Sequence, residues 1–290
     1  MKKKISFEFK HGKVDGIYIR ATDPNAPLVI ITNGHNGFYS YGMFPYIQEK
    51  LFEDGISSYS YNFSHGGVLG DANYFSDLKS YEQNCMRLET EDLCEIVRNL
   101  KNSEIHFSEK NMLFLLAHSL GGAPTIFAAN KLLAEGYPIE GLILVSTVKT
   151  IARWGKAAME EWERNGVYYI KNNRTKQDLP QGKEFLEEIK EANGKWSIQK
   201  ALSGLRTKIL IVHCEKDEAV SVDDSTVLRD WSIQGGNKTD LHVIANGTHT
   251  FGTKHPFSGT TPELDSLIKV VREWIKNKLE VPSDEFRAII

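Results

Sequence analysis

Apolar and polar positions alternate over residues 5–9 and again over 14–20, with Gly12 and Lys13 between, which predicts an antiparallel hairpin. After the turn cluster Asp23-Pro24-Asn25-Ala26-Pro27 the pattern changes to a continuous apolar run over 28–31, as in a strand buried on both faces. A loop over 32–38, with glycines at 34 and 37, leads to a predicted helix over 43–52 that ends at Gly55. Residues 56–61 read as another strand, and 62–81, rich in Gly, Ser and Asp, as a long loop. Leu93, Ile96, Val97 and Leu100 share one face of a helix predicted over 88–100. A second apolar run, 112–116, is followed by a helix-like segment over 123–133 and a strand over 142–145.

The alternation breaks near Ser146. Residues 147–200 carry two charged, helix-like segments, 153–164 and 183–192, joined by a connector that contains Tyr168, Tyr169 and Pro180. The stretch also holds Trp154, Trp162 and Trp196. The alternation then resumes with strands over 209–213 and 241–245 and helices over 222–231 and 262–279. Strands alternating with helices predict an α/β architecture, a mostly parallel central sheet flanked by helices. Residues 1–146 and 201–290 form the expected core, and 147–200 an expected helical cap inserted into it.

Composition narrows the class without changing this outline. A chain of 290 residues, 41% hydrophobic and 25% charged, suits a globular protein with a substantial core. Its formal net charge of -3 carries no mark of a nucleic-acid binder. The lysines at positions 2–4 precede an alternating segment rather than an apolar one, so no secretory signal is expected, and no run reaches membrane-spanning length. The three cysteines, Cys85, Cys94 and Cys214, lack metal-ligand or disulfide spacing. They read as small buried hydrophobes in a protein of the reducing cytoplasm.

Chemistry enters where the run 112–116 stops, at Ala117-His118-Ser119-Leu120-Gly121-Gly122. Strand, sharp turn and helix in succession put Ser119 at the apex. A serine hydroxyl is a weak nucleophile until it is held clear of its backbone and beside a base. A tight strand-to-helix turn achieves the first by forcing strained φ/ψ. Small residues are needed two positions to either side; Gly121 meets this, and Ala117 stands where glycine is usual. Serine is also a good helix cap, so the turn alone leaves a structural role open.

An activated serine needs a base and a group that orients the base. In α/β sheets such residues sit in loops after the strands' carboxyl ends. After 209–213 the loop offers Asp217, with Glu215 as a weaker rival; Asp223 and Asp224 suit the start of the next helix. After 241–245 the loop of small residues carries His249, with His255 next in line, while His242 lies within the strand. Oxyanion donors are expected from the N–H of Leu120, at the helix start, and from that of His35, where Gly34 allows close approach.

These segments together resemble the α/β-hydrolase superfamily over nearly the whole length. The resemblance is carried by Asn33-Gly34-His35-Asn36-Gly37-Phe38, by 117–122, by 213–220 and by Gly247-Thr248-His249-Thr250-Phe251. The third is similar to the family's H-G-x-x-D-x-x-V-P acid loop, with Cys214 for Gly and Ser221 for Pro. Asn33 replaces the His usual before Gly34, and 61–67 differs from the D-x-R-G-x-G segment of many members. The order Ser119, Asp217, His249 is the chain order of that family's triad. Within the superfamily the chain is most similar to bacterial carboxylesterases of the dienelactone-hydrolase and cinnamoyl-esterase kind.

The resemblance implies a serine hydrolase acting on a small-molecule ester through an acyl-enzyme, with no metal or cofactor. A peptidase or amidase, a carbon–carbon bond hydrolase, or a ligand-binding protein with a dormant site remain open alternatives. Trp154 and Trp162 are expected either to line an acyl or aryl pocket or to anchor the cap to the sheet. Lys149, Arg153 and the run Lys171-Asn172-Asn173-Arg174-Thr175-Lys176 offer either a site for a substrate carboxylate or a solvated face, and the solvated face is the favoured reading.

Overall fold

The computed structural model describes residues 1–280 except positions 71, 106 and 109. Strands β1 (Lys2–Phe9) and β2 (Gly12–Ile19) form the expected hairpin, followed by β3 (Leu28–Thr32), α1 (Phe44–Glu53) and β4 (Ser57–Asn62). Next come α2 (Leu78–Glu82), α3 (Met86–Asn99), β5 (Leu113–His118), α4 (Gly122–Ala134) and β6 (Gly141–Val145). The stretch between β6 and the following sheet strand holds α5 (Lys156–Asn165), β7 (Val167–Asn172), β8 (Gln177–Gly182), α6 (Lys183–Lys190) and α7 (Ile198–Gly204). The described chain ends with β9 (Lys208–Cys214), α8 (Val222–Gln234), β10 (Lys238–Ile244) and α9 (Pro262–Glu280).

Eight strands make the main sheet in the order β1-β2-β4-β3-β5-β6-β9-β10. All pairs from β4 onward are parallel, and β2 alone runs against the rest. The strand period of two assigns alternate residues to opposite faces. Leu28, Ile30, Leu115 and Leu142 meet Leu93 and Ile96 of α3, Ala128 of α4, Leu202 of α7 and Leu228 of α8. Val29, Ile31, Phe114, Leu116 and Ile143 meet Phe44, Ile47 and Leu51 of α1 and Leu264, Val271 and Ile275 of α9. The central strands are thus buried on both faces, which is why they read as unbroken apolar runs. Each such side chain contributes about 1.5–3 kcal/mol of transfer free energy, enough in sum to fix the strand ends that carry the chemistry.

Three local features lie outside the sequence-based outline. The connector with Tyr168 and Tyr169 is not helical: β7 and β8 pair as an antiparallel hairpin between the two expected helices. The loop after β4 contains α2, capped by the Asp77 carboxylate, which accepts from Ser80 N (3.0 Å) and Ser80 Oγ (2.6 Å). Helix α7 straddles position 200, and its Ile198 and Leu202 belong to the core beside α4 and α8.

Candidate active site

Strand β5 delivers the chain to Ser119 with ordinary extended geometry at His118, and Ser119 itself adopts φ 58°, a left-handed conformation that is costly for a residue with a Cβ. The turn survives because its neighbours are small. A Cβ on Gly121 would lie 2.1 Å from the carbonyl oxygen of Asn33, and one on Gly34 would lie 3.0 Å from Ser119 Cβ. The loop after β3 is therefore pressed against the serine, and His35 sits on it at the mouth of the site. The backbone of Leu120 lies in the first turn entering α4.

The loops after β9 and β10 bring the partners. His249 Nε2 lies 3.0 Å from Ser119 Oγ, and its Nδ1 lies 2.8 Å from Asp217 Oδ2. A carboxylate only accepts, so Nδ1 carries the proton and Nε2 is left to accept from the serine hydroxyl. The other oxygen of Asp217 accepts from Ala219 N (2.9 Å) and Val220 N (2.8 Å), and the carboxyl is fully buried. Burial alone would raise the Asp217 carboxyl, but hydrogen bonding from His213 and His249, and the charge of His249, outweigh it and hold it well below the usual carboxylate range.

Two further histidines support the acid and the base. His213, wholly buried, points Nε2 at Val220 O (3.0 Å) and Asp217 Oδ2 (3.3 Å). His118 donates from Nε2 to the carbonyl of His249 (2.9 Å). Burial, helped by the neighbouring His249, pushes His118 down to about 3, so it is neutral and serves as a fixed donor. Neither role was assigned from sequence, although His118 occupies the motif position before the serine and His213 opens the acid loop.

The remaining candidates lie elsewhere. Glu215 accepts from Asn246 N (3.1 Å) on the loop surface. Asp223 and Asp224 occupy the first turn of α8, and Asp224 pairs with Lys149 (2.9 Å). His255 accepts from Gly42 N through Nδ1 (3.1 Å) and stacks on Tyr41 at 4.6 Å between ring centroids; His242 is exposed on edge strand β10. Cys85, Cys94 and Cys214 are buried and unpaired.

A cavity of about 380 Å³ opens over Ser119 and His249, with Gly34, His35 and Phe44 on one side. Trp154 and Trp162 are not among its lining residues. Trp162 is fully buried between Tyr168 and Phe185, and Trp154 stands edge-on to both Trp162 and His35 (5.6 and 6.1 Å between centroids). The wall expected from these tryptophans comes instead from the β7–β8 turn, Lys171 to Arg174, together with Tyr41. Burial, with Arg153 nearby, pushes His35 down to about 4, so its ring is uncharged. Among the described residues no group of His, Cys, Asp and Glu side chains is placed to hold a metal ion, and no helix is long and apolar enough to cross a membrane.

No protein-family model matches the chain, and no curated protein matches it in sequence. Solved structures match it in shape. Est1E from Butyrivibrio proteoclasticus, also solved with ferulic acid bound, superposes with a TM-score of 0.66 at 17% identity, covering 96% of this chain and 99% of that one. The thermostable carboxyl esterase of Bacillus coagulans gives 0.69 at 12% identity over 95% and 98% of the two chains. The dienelactone hydrolase of Anabaena variabilis gives 0.63 at 11% identity over 96% and 97%. At such identities the likeness establishes architecture: the chain has the α/β-hydrolase fold.

Proposed function

We propose that the protein is a serine hydrolase acting on carboxylic esters through Ser119, His249 and Asp217. The observation that carries this reading is the unbroken hydrogen-bonded line from Ser119 Oγ through His249 to Asp217, set on a serine with φ 58°. Ser119 Oγ attacks the acyl carbon while His249 Nε2 takes its proton. The ionised Asp217 stabilises the imidazolium that forms and keeps its Nδ1–H aligned. The N–H groups of Leu120 and His35 receive the developing oxyanion, His35 from a loop that Gly34 lets approach the serine. His249 then returns the proton to the leaving alcohol, and water repeats the cycle on the acyl-enzyme. The esterases among structures of the same fold favour an ester over an amide or a carbon–carbon bond.

The test needs no knowledge of the substrate. A fluorophosphonate probe phosphonylates serines that a base has activated, and mass spectrometry locates the adduct. Labelling is expected at Ser119, and it should vanish in Ser119→Ala and fall steeply in His249→Ala while both variants melt near wild type. Any ester turnover should fall by about 10⁴- to 10⁶-fold in Ser119→Ala. A Ser119→Ala protein that retains its activity would exclude the mechanism.

A further inference from the structure

The cavity over Ser119 has a second chemically distinctive wall. The β7–β8 turn places Lys171 and Arg174 on its lining. The turn is held in position from within and from the core. Asn172, itself buried, accepts from Arg174 N (3.0 Å) and Thr175 N (3.1 Å) through its side-chain oxygen. Gln177 clamps the hairpin to the loop after β4, accepting from Phe75 N (2.9 Å) and donating to Phe75 O (2.7 Å). The Arg174 guanidinium lies over the Tyr41 ring, 4.9 Å from its centroid, and Tyr41 is in turn stacked on His255.

Some cations of the chain have carboxylates beside them. Arg98 meets Glu91, Glu95 and Glu135, and Lys149 meets Asp224. Among the described residues no carboxylate forms an ion pair with Lys171 or Arg174. The acid on the same wall, Glu218, acts on the Arg174 charge without touching it, and its Oε2 accepts from the backbone N–H of His249 (3.2 Å). Arg153 donates to the carbonyl of Ala219, another lining residue. The Tyr41 hydroxyl is buried with no hydrogen-bond partner among the described residues. A wall with two cations against one carboxylate, facing Ser119 across a cavity of about 380 Å³, keeps a net positive charge that suits a negative group at a remove from the reacting carbonyl.

We propose that Arg174 and Lys171 form a carboxylate subsite, so that the preferred substrate is an ester carrying a free carboxylate at the end away from the scissile bond. This rests on the hydrolase reading for its chemistry, but the subsite itself does not need turnover. The planar guanidinium, lying over Tyr41, offers paired N–H donors, and the Lys171 ammonium adds a point charge.

The experiment compares two esters that differ only in charge: the p-nitrophenyl ester of glutaric acid with its second carboxyl free, and the same compound with that carboxyl methylated. The quantity read is the ratio of their kcat/KM values. Wild type should favour the anion about tenfold to a hundredfold. The ratio should collapse toward one in Arg174→Gln, fall partly in Lys171→Gln, be partly kept in Arg174→Lys, and shrink as salt is raised. Lys176→Gln, on the same turn but outside the cavity lining, should leave the ratio as in wild type. A wild-type ratio near one, or a preference that persists in the Lys171→Gln/Arg174→Gln double variant, overturns the subsite. Should neither ester be turned over, calorimetry of glutarate with the folded Ser119→Ala protein decides it. Binding that is lost in the double variant upholds the subsite, and no binding overturns it. Fluorophosphonate labelling judges the hydrolase reading separately.

Discussion

Gly121 is the residue on which the geometry of Ser119 depends most directly. A methyl group there would meet the Asn33 carbonyl at 2.1 Å, and that carbonyl belongs to the loop that carries His35. Gly121→Ala must therefore push the 33–37 loop away from the serine. The expected cost is about 1–3 kcal/mol of stability, as for other overpacked sites, seen as a lower melting temperature. A larger proportional loss of kcat should accompany it, because the loop carries the proposed oxyanion donor, the N–H of His35. Ala117→Gly should leave the serine's reactivity near wild type and cost only about 0.5–1 kcal/mol for a glycine inside a strand. The residues at this scale were legible because the chemistry restricts the side-chain types and the turn restricts their neighbours. His118 and His213 were less so: His118 acts on a carbonyl 131 positions away, and His213, although only four positions from Asp217, ends an apolar strand in which a histidine reads as structural.

At the scale of elements, strands β3, β5 and β6 were legible because burial on both faces leaves no room for polar residues. The β7–β8 hairpin was not. Its strands mix buried and exposed positions without a clean period, with Tyr169 60% exposed and Pro180 in the second strand. What defines it is the side-chain oxygen of Asn172 turning the chain locally and Gln177 pairing with Phe75, a tertiary contact. The sequence showed the basic run as a candidate carboxylate site, but its place on the cavity was not legible, since Lys171 and Arg174 belong to a cavity only once the turn is folded over it. Helix α3 carries a prediction of its own. Glu89 on its first turn is buried and accepts from Asn84 Nδ2 (2.7 Å); burial, with Asp92 and Glu188 nearby, pushes it up to about 8. The folded protein then keeps a proton that the unfolded chain releases near the ordinary value of 4.5. Between those limits the native state binds more protons, so this group lowers stability by up to about 1.4 kcal/mol per pH unit as pH rises. Glu89→Gln keeps the acceptor and cannot ionise. Its melting temperature relative to wild type should climb from pH 4.5 to 8 and level off above; a difference that stays flat with pH would show that Glu89 is ionised in the native protein.

For the whole molecule, the class of fold was legible from alternating strands and helices, but the lateral strand order was not, because pairing is decided by crossovers that leave no local trace. That order has a temporal meaning. Ser119 and His249 are 130 positions apart, and β6 and β9 stand between the strands that introduce them. A ribosome releases the serine long before it releases the imidazole, and the emerging fragment holds an elbow with no base to arm it. Under the proposed mechanism a half-made chain would have no hydrolytic activity. The same arrangement turns the serine's reactivity into a clock for assembly. In refolding from denaturant, pulses of fluorophosphonate should label Ser119 only after the β9–β10 edge has closed, in step with the last phase of fluorescence. Labelling that runs ahead of that phase would mean that the right-hand edge of the sheet, last to be synthesised, is not the last to form.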